Sequence, residues 1–193
     1  SQYPVVVSIE ASPSGEVIAA MALNRKDQEF DIVLLSAYSG EIIENLTSGF
    51  DQSFGFEYVA MPGQRFNTVP WMSWSPDGDR LAYFVRTEKS RTLILQNVLS
   101  RNVDDRIEMD AVDDPESPDI SPDGRKVAFA ALQDGVGDIF VVDLETRELT
   151  NLTNDGFSDS GPTWSPAHVL TWTADSQSHC FRSSGISDGL AVR

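Results

Sequence analysis

The chain has 193 residues, with 30 acidic against 14 basic side chains and a formal charge of −16. A surface of that sign repels phosphate backbones and anionic lipid, which makes nucleic acid and membrane surfaces poor partners, and no stretch approaches transmembrane length, so membrane insertion is not expected. The single cysteine, Cys180, excludes an internal disulfide.

Taken from the N-terminus, the first punctuation is Ser12-Pro13-Ser14-Gly15. A proline that presets φ, a short polar residue and a glycine suited to positive φ describe a tight turn. Val17-Ile18-Ala19-Ala20-Met21 follows as an apolar strand, then Asp31-Ile32-Val33-Leu34-Leu35, then Ile42-Ile43-Glu44-Asn45-Leu46-Thr47. Residues 49–69 interrupt with Phe50, Phe54, Phe56, Tyr58 and Phe66, too aromatic for a linker, and read as an extra hairpin or lid. The turn returns as Ser75-Pro76-Asp77-Gly78, with strands over Leu81–Val85 and Thr92–Gln96. The third copy, Ser121-Pro122-Asp123-Gly124, is the clearest. It is followed by Val127–Ala131, Asp138–Leu144 and the outer segment Glu148–Thr153, in which Asn151-Leu152-Thr153 repeats Asn45-Leu46-Thr47. A fourth Ser165-Pro166 continues as Ala167-His168, and residues 167–193 read as an irregular, Ser- and Gly-rich tail.

The four serines are spaced 63, 46 and 44 residues apart, and a period in the mid-forties is that of a four-stranded propeller blade. The expected fold is therefore all-β, a β-propeller of about four blades. Blade-like units are placed at 3–48, 70–112 and 113–157, with a partial one from 158. A six-bladed ring at this period needs roughly 260 residues. The chain is thus expected to be a piece of a longer protein with an altered end, or to complete a ring with a second copy, its first and last blades in contact; a smaller closed ring is the third and rarest arrangement.

Trp74-Ser75-Pro76-Asp77-Gly78-Asp79-Arg80-Leu81-Ala82-Tyr83 and Ile120-Ser121-Pro122-Asp123-Gly124-Arg125-Lys126-Val127-Ala128-Phe129 resemble the WD-type repeat of the TolB family, over roughly residues 3 to 166. The same repeat builds the propeller of prolyl-oligopeptidase-like enzymes. The resemblance implies a propeller module and an exported bacterial protein, periplasmic or at the cell surface. It does not imply a chemistry, because sites are grafted onto folds.

In a propeller the segment before each Ser-Pro is the innermost strand and lines a shared channel. Those segments contain Glu10, Trp71, Met72, Asp114, Glu116, Asp119 and Asp159. Glu116, Asp159, Asp114, Asp119 and Trp71 are the candidate ligand-binding residues, with Glu116 and Asp159 expected in the channel rather than between blades. Converging carboxylates suit calcium or another cation, or the acid and base of a glycoside hydrolase; no other cofactor is indicated. Gly185-Ile186-Ser187-Asp188-Gly189 fits the G-x-S-x-G pattern, but a nucleophile elbow needs a strand before it, a helix after it and downstream partners. Only four residues follow, and His168 and His179 both precede it. His179-Cys180 lack zinc-ligand spacing. The primary expectation is a non-catalytic module that binds a protein or peptide. The alternative is a hydrolase, either carboxylate-based or with its catalytic domain outside this chain.

Overall fold

The computed structural model describes residues 2–26, 30–48, 72–86, 91–174, 180–187 and 190–191. All regular elements among them are β-strands, in four antiparallel four-stranded sheets that follow chain order. The first sheet is β1 (Val5–Ala11), β2 (Val17–Leu23), β3 (Phe30–Ser36) and β4 (Ile42–Asn45). The second is β5 (Met72–Trp74), β6 (Arg80–Arg86), β7 (Arg91–Asn97) and β8 (Val103–Glu108). The third is β9 (Asp113–Ile120), β10 (Lys126–Gln133), β11 (Val136–Asp143) and β12 (Leu149–Asn151), and the fourth β13 (Asp159–Trp164), β14 (Val169–Ala174), β15 (Cys180–Ser187) and β16 (Leu190–Ala191). The aromatic segment 49–69 lies outside the described residues.

Each Ser-Pro turn links the first strand of a sheet to the second. Gly78 and Gly124 take φ of 76° and 71°, and their amides close the turn on the Ser75 and Ser121 carbonyls at 2.8 Å. The serine hydroxyl donates to the turn aspartate (Asp77 or Asp123) and accepts from the backbone of Arg80 or Lys126 at 2.9 Å. These aspartates are turn residues, with their carboxylates consumed by the turn they build.

The sheets stack through alternating strand faces. Met21, Ile32 and Leu34 of the first sheet meet Met72, Leu81, Tyr83 and Ile94 of the second. Leu93, Leu95 and Ile107 meet Val127, Phe129 and Phe140 of the third, where Phe129 stacks on Phe140 at 5.7 Å and receives the edge of Phe84 at 5.2 Å. Ala128, Ala130, Ile139 and Val141 then meet Trp164, Leu170 and Trp172.

The tail departs from the expectation of irregular structure. β14 pairs with β15 from Val169↔Gly185 to Ala174↔Cys180, so the fourth unit is a sheet of four strands. Its turn is one residue shorter: His168 takes the left-handed position at φ 59°, and the Val169 amide bonds Ser165 Oγ at 3.1 Å. Backbone pairing on an existing strand tolerates the Ser-rich composition that hid β15 from a reading of side-chain pattern. Of the G-x-S-x-G segment, residues 185–187 lie on β15, where Ser187 pairs with Leu190 of β16, and no helix follows among the described residues; positions 188 and 189 lie outside them.

Candidate functional site

The innermost strands run side by side, β1 beside β5, β5 beside β9 and β9 beside β13. The position two residues before each Ser-Pro serine is Glu10, Ser73, Asp119 and Thr163 in turn. Two of these meet directly. Ser73 Oγ donates to Asp119 Oδ1 at 3.1 Å and accepts from the Ile120 amide at 3.2 Å. Asp119 Oδ2 accepts from the Trp164 amide at 2.6 Å, so one carboxylate ties the second, third and fourth sheets together. Trp74 Nε1 donates to the Glu10 carbonyl at 3.1 Å and binds the first sheet to the second.

Burial raises the Asp119 carboxyl above its ordinary range, against the pull of the Trp164 amide, the Ser73 hydroxyl and the Ile120 amide. Glu10 is raised by burial and then by the Asp119 charge, which brings the two carboxylates within electrostatic reach of each other. Glu116 is raised by burial and by Asp114. The result is a half-buried acidic rim in which the carboxyls hold protons more tightly than free ones do. Among the described residues no three His, Cys, Asp or Glu side chains assemble as a metal-binding group.

Inner-strand bulges decide where the candidates point. Glu116 pairs with Ala130 and Asp119 with Ala128, although three residues separate the acids and two their partners. The extra residue lies at Ser117, whose φ is 53°, and it brings Glu116 and Asp119 onto one face. β13 repeats the device around Gly161, φ 61°, between Asp159↔Ala174 and Trp164↔Leu170. That corrects the expectation for Asp159. The bulge turns it to the face of Trp164, Leu170 and Trp172, which packs on the third sheet, and it is only 3% exposed. Counting alternation from the proline could not reveal this, because one inserted residue reverses every side chain beyond it.

Asp114 is exposed and bonded to Arg91 Nη2 at 3.0 Å, while Arg91 Nη1 takes Asp113 at 3.0 Å. Trp71 lies outside the described residues. Ser73 was not legible as a site residue. Its signal was its repeat position, equivalent to Glu10 and Asp119, which only a superposition of the repeats by structure makes meaningful.

The repeated Asn-Leu-Thr segments are structural. Asn151 Nδ2 donates to Asp138 Oδ2 at 2.8 Å, and Thr153 Oγ1 donates to Asp138 Oδ1 at 3.1 Å. Asn45 and Thr47 do the same to Asp31 at 2.9 and 3.2 Å.

Comparison with known proteins places this architecture. A family model described as the TolB beta propeller domain matches residues 66–183. The chain superposes on a protein of Agrobacterium tumefaciens assigned as TolB with a TM-score of 0.67 at 19% identity, over 94% of this chain and 62% of that one. TolB from Acinetobacter baumannii gives 0.59 at 18% identity, over 96% and 40%, and Kuenenia stuttgartiensis hydrazine synthase 0.64 at 17%, over 100% and 49%. The chain spans less than two thirds of each of these proteins, and the likeness at such identities is one of fold. The family match covers more than half of the sequence, and the chain belongs to the TolB beta propeller domain family.

Proposed function

We propose that this chain is a non-catalytic module of an exported bacterial protein, periplasmic or at the cell surface, and that it binds a protein or peptide. The observation that carries the reading is the use made of Asp119. Both of its oxygens accept hydrogen bonds from fixed donors, Ser73 and the Trp164 amide, so the most converged acid of the rim serves as scaffold. A rigid rim with Glu10 and Glu116 half-exposed beside it suits recognition of a segment that carries lysine, arginine or a free amine. The family resemblance supports export. The test is an array of cationic and acidic peptides, followed by titration of the best binder. Saturable, salt-sensitive binding that Glu10→Gln and Glu116→Gln each weaken several-fold supports the reading. Binding indifferent to both substitutions, or no saturable binding, rejects it.

A hydrolase is the second reading, favoured by the upward displacement of the Glu10 and Glu116 carboxyls, the state a general acid requires. Turnover of an aryl glycoside that Glu10→Gln or Glu116→Gln abolishes would replace the first reading with this one.

A further inference from the structure

We propose that Asp134-Gly135 is a site of spontaneous covalent modification, at which the backbone relinks through the aspartate side chain by way of a cyclic imide. The Gly135 nitrogen bonds to Asp134 Cγ, and one carboxyl oxygen leaves as water, with the amide proton and the carboxyl proton. Water then adds to the Asp134 main-chain carbonyl carbon, the bond from that carbon to the Gly135 nitrogen breaks, and β-aspartate remains. The water lost is returned, so no oxidant, reductant or other reactant is needed. The reaction asks for four things: a following residue with no side chain, a carboxyl free to turn, an uncommitted amide, and room for the ring.

Five Asp-Gly pairs occur in the chain, four of them among the described residues. Two of the four close Ser-Pro turns and meet only the first requirement. Asp77 is held by the Ser75 hydroxyl and the Asp79 amide, and Asp123 by the Ser121 hydroxyl and the Arg125 amide. Those bonds keep Asp77 below the ordinary carboxylate range, and Asp123 likewise although its partial burial opposes the shift; an ionised carboxyl resists attack. The Gly78 and Gly124 amides already donate to the Ser75 and Ser121 carbonyls at 2.8 Å. A neighbouring turn also crowds each glycine, with Pro13 Cδ 3.6 Å and Arg80 Nη2 3.5 Å from where a Cβ would stand. At the third pair, Asp155 Oδ1 accepts from the Phe157 amide at 2.9 Å.

Asp134 differs on every count. It is exposed and makes no hydrogen bond or ion pair to the described residues. No backbone carbonyl among them takes the Gly135 amide, and nothing stands within 4 Å of its Cβ position. The turn explains this. Asp134 and Gly135, with φ of 54° and 81°, form a two-residue hairpin loop in which only the flanking Gln133 and Val136 pair. A β-linkage adds a backbone methylene to that short loop. Gln133 Oε1 accepts from Asn151 Nδ2 at 2.9 Å, so the change is passed to the side chain that holds Asp138.

The test is to incubate the full chain, folded and in urea, in neutral buffer made with heavy-oxygen water, then to digest it in ordinary water. The four pairs lie on four different tryptic peptides, and electron-transfer fragmentation distinguishes β-aspartate from aspartate on each. In the folded chain, β-aspartate carrying one heavy oxygen should accumulate at Asp134 at least about tenfold faster than at Asp77 or Asp123, whose carboxyl and amide bonds must first be released. Urea should bring the three rates within a few-fold of one another, because the fold and not the dipeptide makes the distinction. Ser75→Ala, which frees one carboxyl, should speed conversion at Asp77. Equal rates at the three sites in the folded chain, faster conversion at Asp155 than at Asp134, product without heavy oxygen, or a preference that urea leaves unchanged would each overturn the proposal.

Discussion

Ser117 combines two local costs. Its φ of 53° is a conformation that L side chains adopt at a penalty of about 1–2 kcal/mol, and its hydroxyl is fully buried with no hydrogen-bond partner among the described residues. The equivalent residue of the fourth sheet is Gly161. Ser117→Gly is therefore expected to stabilise the protein by about 1 kcal/mol, read as a higher urea midpoint at unchanged slope. Glu10 presents the electrostatic counterpart. Burial and the Asp119 charge raise its carboxyl above the ordinary 4.5, so the native state prefers the protonated form. The associated stability is complete below the unfolded value and is lost as pH rises through the native one. Glu10→Gln keeps a neutral group in place. It should melt above the parent at neutral pH, and the gap should close as pH falls toward 4.5. A gap that persists or widens on acidification would contradict this account. The bulge at Ser117 was not legible in the sequence, because a serine between Glu116 and Pro118 carries none of the signals that a glycine would.

The elements are held by devices that repeat. Asp138, at the start of β11, accepts from Asn151 and Thr153, and the Ile139 amide bonds Thr153 Oγ1 at 3.1 Å. Asp31, Asn45, Thr47 and Ile32 reproduce this in the first sheet. The clamp fixes the outer strand, which is only three or four residues long and would otherwise be a weak edge. Asn151→Ala removes a donor from a buried carboxylate and should cost about 1–3 kcal/mol, measured by urea unfolding, with Asn45→Ala similar. The second sheet uses another solution. Thr92 and Arg106 stand at the clamp positions, and Gln96 instead accepts from Tyr83 Oη at 2.7 Å and donates to the Leu46 carbonyl of the first sheet at 3.1 Å. The residue-for-residue match of Asn45-Leu46-Thr47 with Asn151-Leu152-Thr153 marked a repeated device, but its partner 13 to 16 residues earlier emerged only from the structure.

At the scale of the whole molecule, stability is a chain of sheet-on-sheet contacts, each dependent on its neighbours. Phe129 stands at the middle contact, fully buried between Phe84 and Phe140. Phe129→Ala should cost about 3–5 kcal/mol and separate unfolding into two steps. Trp74 of the second sheet and Trp164 and Trp172 of the fourth report on the two halves. A single coincident transition in that variant would show that the sheets are coupled by the inner rim more strongly than by their faces. The Asp119 bridge from Ser73 to the Trp164 amide is the rim contact able to do so.

The sequence by itself determined the blades. Turn chemistry and apolar runs are local, so Ser-Pro-Asp-Gly and the strands behind it could be read in chain order, and their period named the fold. Phe129, Phe140 and Tyr83 lie on those strands, and the structure packs them between sheets. The tertiary structure decided whatever depends on register: that Asp159 turns inward between sheets, that Asp119 meets Ser73, and that β15 forms from an unpromising segment. A bulge of one residue reverses a strand's faces while leaving almost no mark on composition, and pairing partners lie tens of residues apart. Those are the two places where local pattern stops carrying information.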